Sequence, residues 1–341
     1  MPVLFVDSFD HYNTGNILQK YETAGGGATI IIGGGVPHTG TRCLQLTAGI
    51  GPTKQALGHI SDMLVAMWYN PDVVGLCISI ANFLADTGTN ATCVQLRINN
   101  DGSITVLRSG GSGLATTAPN LIQPGTWNHI ALRAKISNPD GTVTVWVNGV
   151  QVLALTNVNT TNNNNPALHY ATGFIYFANG TSLGTNIDSV YCLDCSNPAL
   201  PNSDFLGACD VYANVPVSNG SPVQWTPLAG SNFSEVNQIP PPGDSSYVSS
   251  STVGQVDQYN VNDSGVPPGS QINAVQVVLD ARLDTGSRSI AADVNGTVSS
   301  TSNALTGGYI MYTTPYDTSP STGLPWSGAD FPVEIGPAVT A

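Results

Sequence analysis

Twice in this chain an alternating apolar run meets a turn built from Asn, Asp and Gly, and then comes straight back. Gln95-Leu96-Arg97-Ile98 leads through Asn100-Asp101-Gly102 into Ile104-Thr105-Val106-Leu107. Val143, Val145 and Val147 point one way while Thr144 and Trp146 point the other, and Asn148-Gly149 turns the chain into Val150-Gln151-Val152-Leu153. Such turns need positive φ at their central positions, which Asn, Asp and Gly adopt at little cost, so both segments predict β-hairpins. Helical periodicity is hard to find anywhere. Further strands are expected at Val3–Phe9, Cys43–Thr47, Leu64–Tyr69, Leu76–Phe83, Trp127–Lys135, Gly173–Phe177 and Ile187–Leu193. About ten short strands in roughly 195 residues is the density of an antiparallel sandwich.

The texture changes after residue 195. Ser196–Ser203, with Asn-Pro and Leu-Pro pairs, reads as a linker. Beyond it proline is frequent (Pro216, Pro222, Pro227, Pro240-Pro241-Pro242, Pro267-Pro268), and strand patterns return only at Ile272–Leu283, Ser289–Val294 and Tyr309–Thr313. The expectation is therefore all-β: a sandwich over 1–195, a linker over 196–203, and a smaller loop-rich β domain over 204–341. Loops of that length are usually functional or held by a neighbour.

Charged residues make up 9% of the 341, against the usual ~25%. A surface solvated by hydroxyls and amides suits short strands and turns, and suits burial against other subunits. Nine basic against 22 acidic residues give a formal charge of −13. Phosphate backbones repel such a surface, so nucleic acid is not an expected partner. No apolar run approaches the ~20 residues of a membrane span. The opening MPVLFVDSFD has neither the basic nor the apolar region of a secretory leader, so the expectation is synthesis in a reducing cytosol. Most of Cys43, Cys77, Cys93, Cys192, Cys195 and Cys209 are then expected to be free, buried thiols, and sequons such as Asn90-Ala-Thr and Asn179-Gly-Thr are products of composition.

The first 195 residues resemble the laminin-G-like, concanavalin A-like sandwich family. The resemblance rests on Phe5-Val6-Asp7-Ser8-Phe9-Asp10-His11-Tyr12, on Gly125-Thr126-Trp127-Asn128-His129-Ile130-Ala131-Leu132 followed by Gly141–Leu153, and on the closing Asn186-Ile187-Asp188-Ser189-Val190-Tyr191. The second half is similar to segments that follow such sandwiches in structural proteins of tailed bacteriophages. The carrying residues are Asp204-Phe205-Leu206-Gly207, Gln224-Trp225-Thr226-Pro227, Asp244-Ser245-Ser246-Tyr247-Val248, Ala274-Val275-Gln276-Val277 and Gly323-Leu324-Pro325-Trp326-Ser327.

The family includes glycan-cleaving enzymes, whose glucanase members carry E-x-D-x-E on one strand, three carboxylates on one face. Here the only glutamates are Glu22, Glu235 and Glu334, none with a carboxylate two residues away. No G-x-S-x-G elbow and no H-E-x-x-H are present, so no catalytic residue is expected. His129 reads as a structural residue of its strand. Cys192-Leu193-Asp194-Cys195 with Cys209 lacks the second pair that a structural zinc wants. The resemblance implies Ca²⁺ at the sandwich rim, with Asp7, Asp10 and Asp188 as its ligands. The alternative is that Asp188 accepts backbone amides and orders the strand crossing. For glycan stacking Trp68, Tyr69, Trp146, Tyr170, Tyr176 and Tyr191 are available.

The resemblance implies a virion protein of the tail tip, baseplate or fibres, with weak multivalent contact to host-surface glycans. Its partners would be other virion proteins and copies of itself, trimeric or higher. A capsid-surface decoration protein is the close alternative. A glycan-active enzyme and a secreted carbohydrate-binding module are the readings from other classes.

Overall fold

A computed structural model describes residues 1–23, 30–32, 35–46, 49–72, 79–84, 92–163, 166–178 and 184–341. Cys77, Asn90, Asn179, Asn164 and Asn165, Thr47, and residues 76–78 of the expected strand Leu76–Phe83 lie outside the described residues. Two compact units emerge: Met1–Phe9 with Asn13–Val211, and Asp10–Tyr12 with Tyr212–Ala341. Both are β throughout, apart from short turns of helix such as Ile17–Lys20 and Asn232–Val236.

The strands of the first unit are β1 (Val3–Asp7), β2 (Ile30–Ile32), β3 (Leu44–Leu46), β4 (Gly49–Lys54), β5 (Asp62–Pro71), β6 (Ser79–Leu84), β7 (Thr92–Ile98), β8 (Ile104–Arg108), β9 (Ser112–Thr116), β10 (Asn128–Lys135), β11 (Gly141–Val147), β12 (Val150–Val158), β13 (Phe174–Ala178) and β14 (Thr185–Asp194). One sheet runs β12-β11-β10-β5-β14-β3-β2, and β1 also pairs with β14. A second layer is made by β6-β7-β8-β9 and the pair β13-β4, with β13 alongside β6. All these pairings are antiparallel.

The alternation read from the sequence sets which face is buried. Val143, Val145 and Val147 are buried while Thr144 and Trp146 remain partly open. Asn148 and Gly149 take φ of 49° and 81°, as the two-residue turn requires. The other hairpin closes differently. In Asn100-Asp101-Gly102 only Gly102 has positive φ (75°), and its amide donates to the Asn99 carbonyl at 3.0 Å. A Cβ there would stand 2.5 Å from the Ile122 carbonyl oxygen, so sterics and backbone both demand glycine.

β14 changes edge partners midway: Ile187 pairs with Leu44 of β3, whereas Val190 pairs with Asp7 of β1. Between them lie a bulge and Ser189 at φ 47°. Asp188 stands at that switch.

The second unit contains β15 (Ser218–Val223), β16 (Thr226–Pro227), β17 (Val248–Ser249), β18 (Asp257–Val261), β19 (Val275–Ala281), β20 (Ser289–Val294), β21 (Thr297–Val298), β22 (Asn303–Ala304), β23 (Ile310–Tyr316) and β24 (Val333–Val339). Its main sheet runs β15-β18-β24-β20-β21 with β22 on β20, and β19 pairs with β23. Val261, Val277, Ala292, Val294, Tyr316, Trp326 and Val333 form the core. Trp326 satisfies its indole N–H on the Tyr316 carbonyl at 2.9 Å. Asp257 is fully buried and accepts from the Gln224 and Trp225 amides, the Asn232 amide group and the Tyr259 hydroxyl. Those donors satisfy an otherwise costly buried carboxylate.

Candidate functional site

Register places Trp68 of β5, His129 of β10 and Asp188 of β14 side by side across the large sheet, on the face opposite the valine core. Ala66, Ala131, Trp146 and Tyr191 share that face by the same pairing. Residues 204–211 run over it as a strap. Phe205 stacks on Trp146 at 4.7 Å and lies 5.9 Å from the His129 ring. Asp204 meets the Arg133 guanidinium at 2.8 Å, while Asp62 takes the same guanidinium on two nitrogens at 3.0 and 2.8 Å. Tyr191 donates its hydroxyl to the Gly207 carbonyl at 2.9 Å and Trp68 its indole N–H to the Cys209 carbonyl at 3.2 Å. His38 stacks on Trp68 at 3.8 Å and reaches Asp210 at 3.2 Å.

This arrangement settles where most of the expected stacking rings go. Trp146 and Trp68 are taken up by Phe205 and His38, Tyr69 is wholly buried, and Tyr170 stacks on His59 at 3.9 Å. The side chain of Tyr176 lies outside the described residues. His129 is fully buried, and both its ring nitrogens lack a hydrogen-bond partner among the described residues. Burial, reinforced by nearby His38, pushes its pKa down to about 4, so the ring is neutral at pH 7.

A polar concavity lies elsewhere, on the β7-β8-β9 layer. It is a shallow, open hollow of about 640 Å³ lined by Arg97, Asn99, Asn100, Asp101, Ser103, Thr105 and Thr116. Arg97, Thr105 and Thr116 stand abreast on three paired strands. The hairpin turn supplies the rest. Asn99 donates its amide to the Ser103 and Thr105 hydroxyls at 2.9 and 2.7 Å, and the Thr105 and Thr116 hydroxyls are 2.9 Å apart. Asp101 accepts from the Ser103 amide and hydroxyl at 2.9 and 2.6 Å, and these bonds hold its carboxyl below the ordinary range. Arg97 makes no hydrogen bond or ion pair among the described residues, although its Nε is buried. The chain thus holds in place a rigid set of hydroxyls and amides, with an open cation at one side. Sequence reasoning treated Asn100-Asp101-Gly102 only as a turn. Its one signal of a site was Arg97 on an outward position of a strand otherwise flanked by Thr and Asn.

The expected calcium ligands are not assembled. Asp7 is buried against the Lys20 ammonium (2.9 Å), and accepts from the Phe9 amide and the Tyr21 hydroxyl at 2.9 Å each. Asp188 spends one oxygen on the His38 and Thr39 amides at 2.8 and 3.1 Å and the other on the Ser189 amide at 2.7 Å. Asp10 belongs to the second unit. Among the described residues no group of three or more His, Cys, Asp or Glu side chains is placed to hold a metal ion. An ammonium on one carboxylate and three amides on another do not fit a dication, whereas Asp188 has the contacts of a residue that orders the strand switch.

Cys43, Cys93, Cys192, Cys195 and Cys209 are free thiols, and burial raises Cys93 and Cys195 to about 12. Protonated at neutral pH, those two are poor ligands and poor nucleophiles. Each glutamate is engaged: Glu22 with Lys54, Glu235 with the Ser246 hydroxyl, and Glu334 with the Ser221 amide. No helix among the described residues is long and apolar enough to cross a membrane.

Two antiparallel layers, with the first unit's opening and closing strands paired at the edge switch, define a lectin-like β-sandwich. Residues 51–195 match the family described as the concanavalin A-like lectin/glucanases superfamily, and this part of the chain is a domain of that superfamily. No curated protein matches the chain. Similar solved structures include a mutant of Trypanosoma rangeli sialidase displaying trans-sialidase activity, at 13% identity over 49% of this chain and 27% of that one, TM-score 0.34. The alginate lyase Aly36B is similar at 15% identity over 55% and 92%, TM-score 0.34. The CBM40 of Ruminococcus gnavus IT-sialidase bound to α2,3-sialyllactose follows at 12% identity over 38% and 76%, TM-score 0.27. The chain spans just over a quarter of the length of the sialidase it matches. At such scores these likenesses add nothing to the fold assignment.

Proposed function

We propose that this chain is a structural protein of a bacteriophage particle, in the tail tip, baseplate or fibres, whose lectin-like unit makes weak contact with host-surface glycans. The observation that carries the glycan reading is the hollow on β7-β8-β9, a pre-ordered array of hydroxyls and amides beside an arginine without a partner among the described residues. Shallow, open sites of this kind bind single sugars weakly, and many copies on one particle raise the effective concentration of rebinding. The virion reading is supported by the sequence resemblance of the second half and by a chain with 9% charged residues, a composition that suits packing against neighbours. A role as capsid-surface decoration protein uses the same surfaces.

Mass spectrometry and immunogold labelling of purified particles test the virion reading: the protein is expected in stoichiometric amount, and its absence overturns that reading. Incubation with a polysaccharide panel tests the binding reading against catalysis. Retention without new reducing or unsaturated ends is expected, and release of such ends overturns it.

A further inference from the structure

We infer that the hollow takes a carboxylate-bearing sugar, with the sugar acid on Arg97 and its hydroxyls on the Asn99–Asp101 turn. The inference rests on the glycan-binding reading above and names its ligand class.

The argument starts from what arginines do elsewhere in this molecule. Arg133 holds Asp62 and Asp204, Arg282 holds Asp244 and Asp284, Arg108 holds the Thr161 carbonyl and Arg288 the Ser251 carbonyl. Arg97 has no such partner among the described residues, in a chain whose acidic residues outnumber its basic ones by 22 to 9. A buried guanidinium N–H without an acceptor is costly, so an acceptor from outside gains more here than at an already paired arginine.

Asp101 lines the same hollow but forms no ion pair with Arg97. One of its oxygens is fixed by Ser103, and the other has no partner among the described residues. The hollow therefore has a cationic end and an acceptor end, joined by the hydroxyls of Thr105 and Thr116. A bare anion would use the first end only. A neutral sugar would use the second and leave Arg97 unpaired. A sugar acid satisfies both, because guanidinium and carboxylate match as a two-pronged pair and ring hydroxyls donate to carboxylate and amide oxygens. The polarity also fixes the sense in which the ring lies.

The test is calorimetry on the full chain with oligogalacturonate, oligomannuronate and sialyl-lactose, each beside its carboxyl methyl ester, and with sodium acetate as a free-anion control. At least one acid form is expected to bind roughly ten- to a hundredfold more tightly than its ester, the range of one charge-assisted pair. Arg97→Gln should remove the difference between acid and ester. Arg97→Lys, which keeps charge but loses the fork, should retain only part of the preference. Equal binding of acid and ester overturns the inference and leaves the glycan reading standing. Displacement of a bound sugar acid by equimolar acetate also overturns it, as that marks a simple anion site. Binding of no saccharide in the panel overturns both.

Discussion

Protonation of His129 should weaken the first unit as the pH falls. His129 is fully buried, its two ring nitrogens have no partner among the described residues, and it titrates near 4 in the folded chain against 6.5 when solvated. A base held below its free value leaves stability intact above pH 6.5. Stability is then lost as pH falls toward 4, because only the unfolded chain takes up the proton. The loss accrues at about 1.4 kcal/mol per pH unit, giving about 2 kcal/mol by pH 5 and about 3 kcal/mol below pH 4. Replacing His129 with Phe keeps a flat ring between Trp68, Tyr191 and Phe205 and removes the titrating group. Urea unfolding at pH 7.5 and 5.0, read by hydrogen-exchange mass spectrometry on peptides from β5, β10 and β14, isolates this unit from the other. The wild type should lose about 2 kcal/mol more than His129→Phe between the two pH values. Equal losses in both proteins would refute the reasoning. His38, also held low by burial, remains in both proteins, so its contribution cancels in the comparison.

The second unit should respond with the opposite sign. Burial raises Asp280 to about 6, and one of its oxygens has no partner among the described residues, so its ionisation costs stability as pH rises from about 4 to 6. Asp280→Asn should stabilise peptides of β19 and β23 by about 2 kcal/mol at pH 7, discounted for solvent access, and by nothing near pH 4. Phe205→Ala should free the strap: hydrogen exchange across 204–211 should rise and stability fall by about 2 kcal/mol, below the cost of a fully buried Phe. EGTA should leave the melting temperature unchanged in both wild type and Asp188→Ala, while Asp188→Ala itself melts lower because the His38, Thr39 and Ser189 amides lose their acceptor.

Much of the sandwich was legible because its strands obey the period of two. Val143–Val147, Leu96–Leu107 and the Asn148-Gly149 turn carry both face and turn chemistry in their letters. The central strands β18 and β24 of the second unit were not. In β18 the polar Asp257 and Gln258 are buried, tolerated through partners that include the distant Asn232 and Asp293. β24 contains Gly336 and Pro337, which normally argue against a central strand. Gly336 is there because a Cβ would collide with the Asp257 carbonyl. The strap was equally hidden: Asp204-Phe205 gives no local sign of the face it will cover, since Arg133 and Trp146 lie some sixty to seventy residues earlier. Among the candidate ligands, the family resemblance placed Asp7 and Asp188 on paired strands, but a resemblance cannot show that Lys20 and three backbone amides occupy their oxygens.

Recognition at the hollow is read most directly from the side-chain Nε–Hε resonance of Arg97 in a titration with a sugar acid. The account predicts a saturable shift of that signal, together with the amides of Asn99, Thr105 and Thr116, and no change at the Trp68 or Trp146 indoles. Saturable binding that moves the indoles and leaves Arg97 untouched would contradict it.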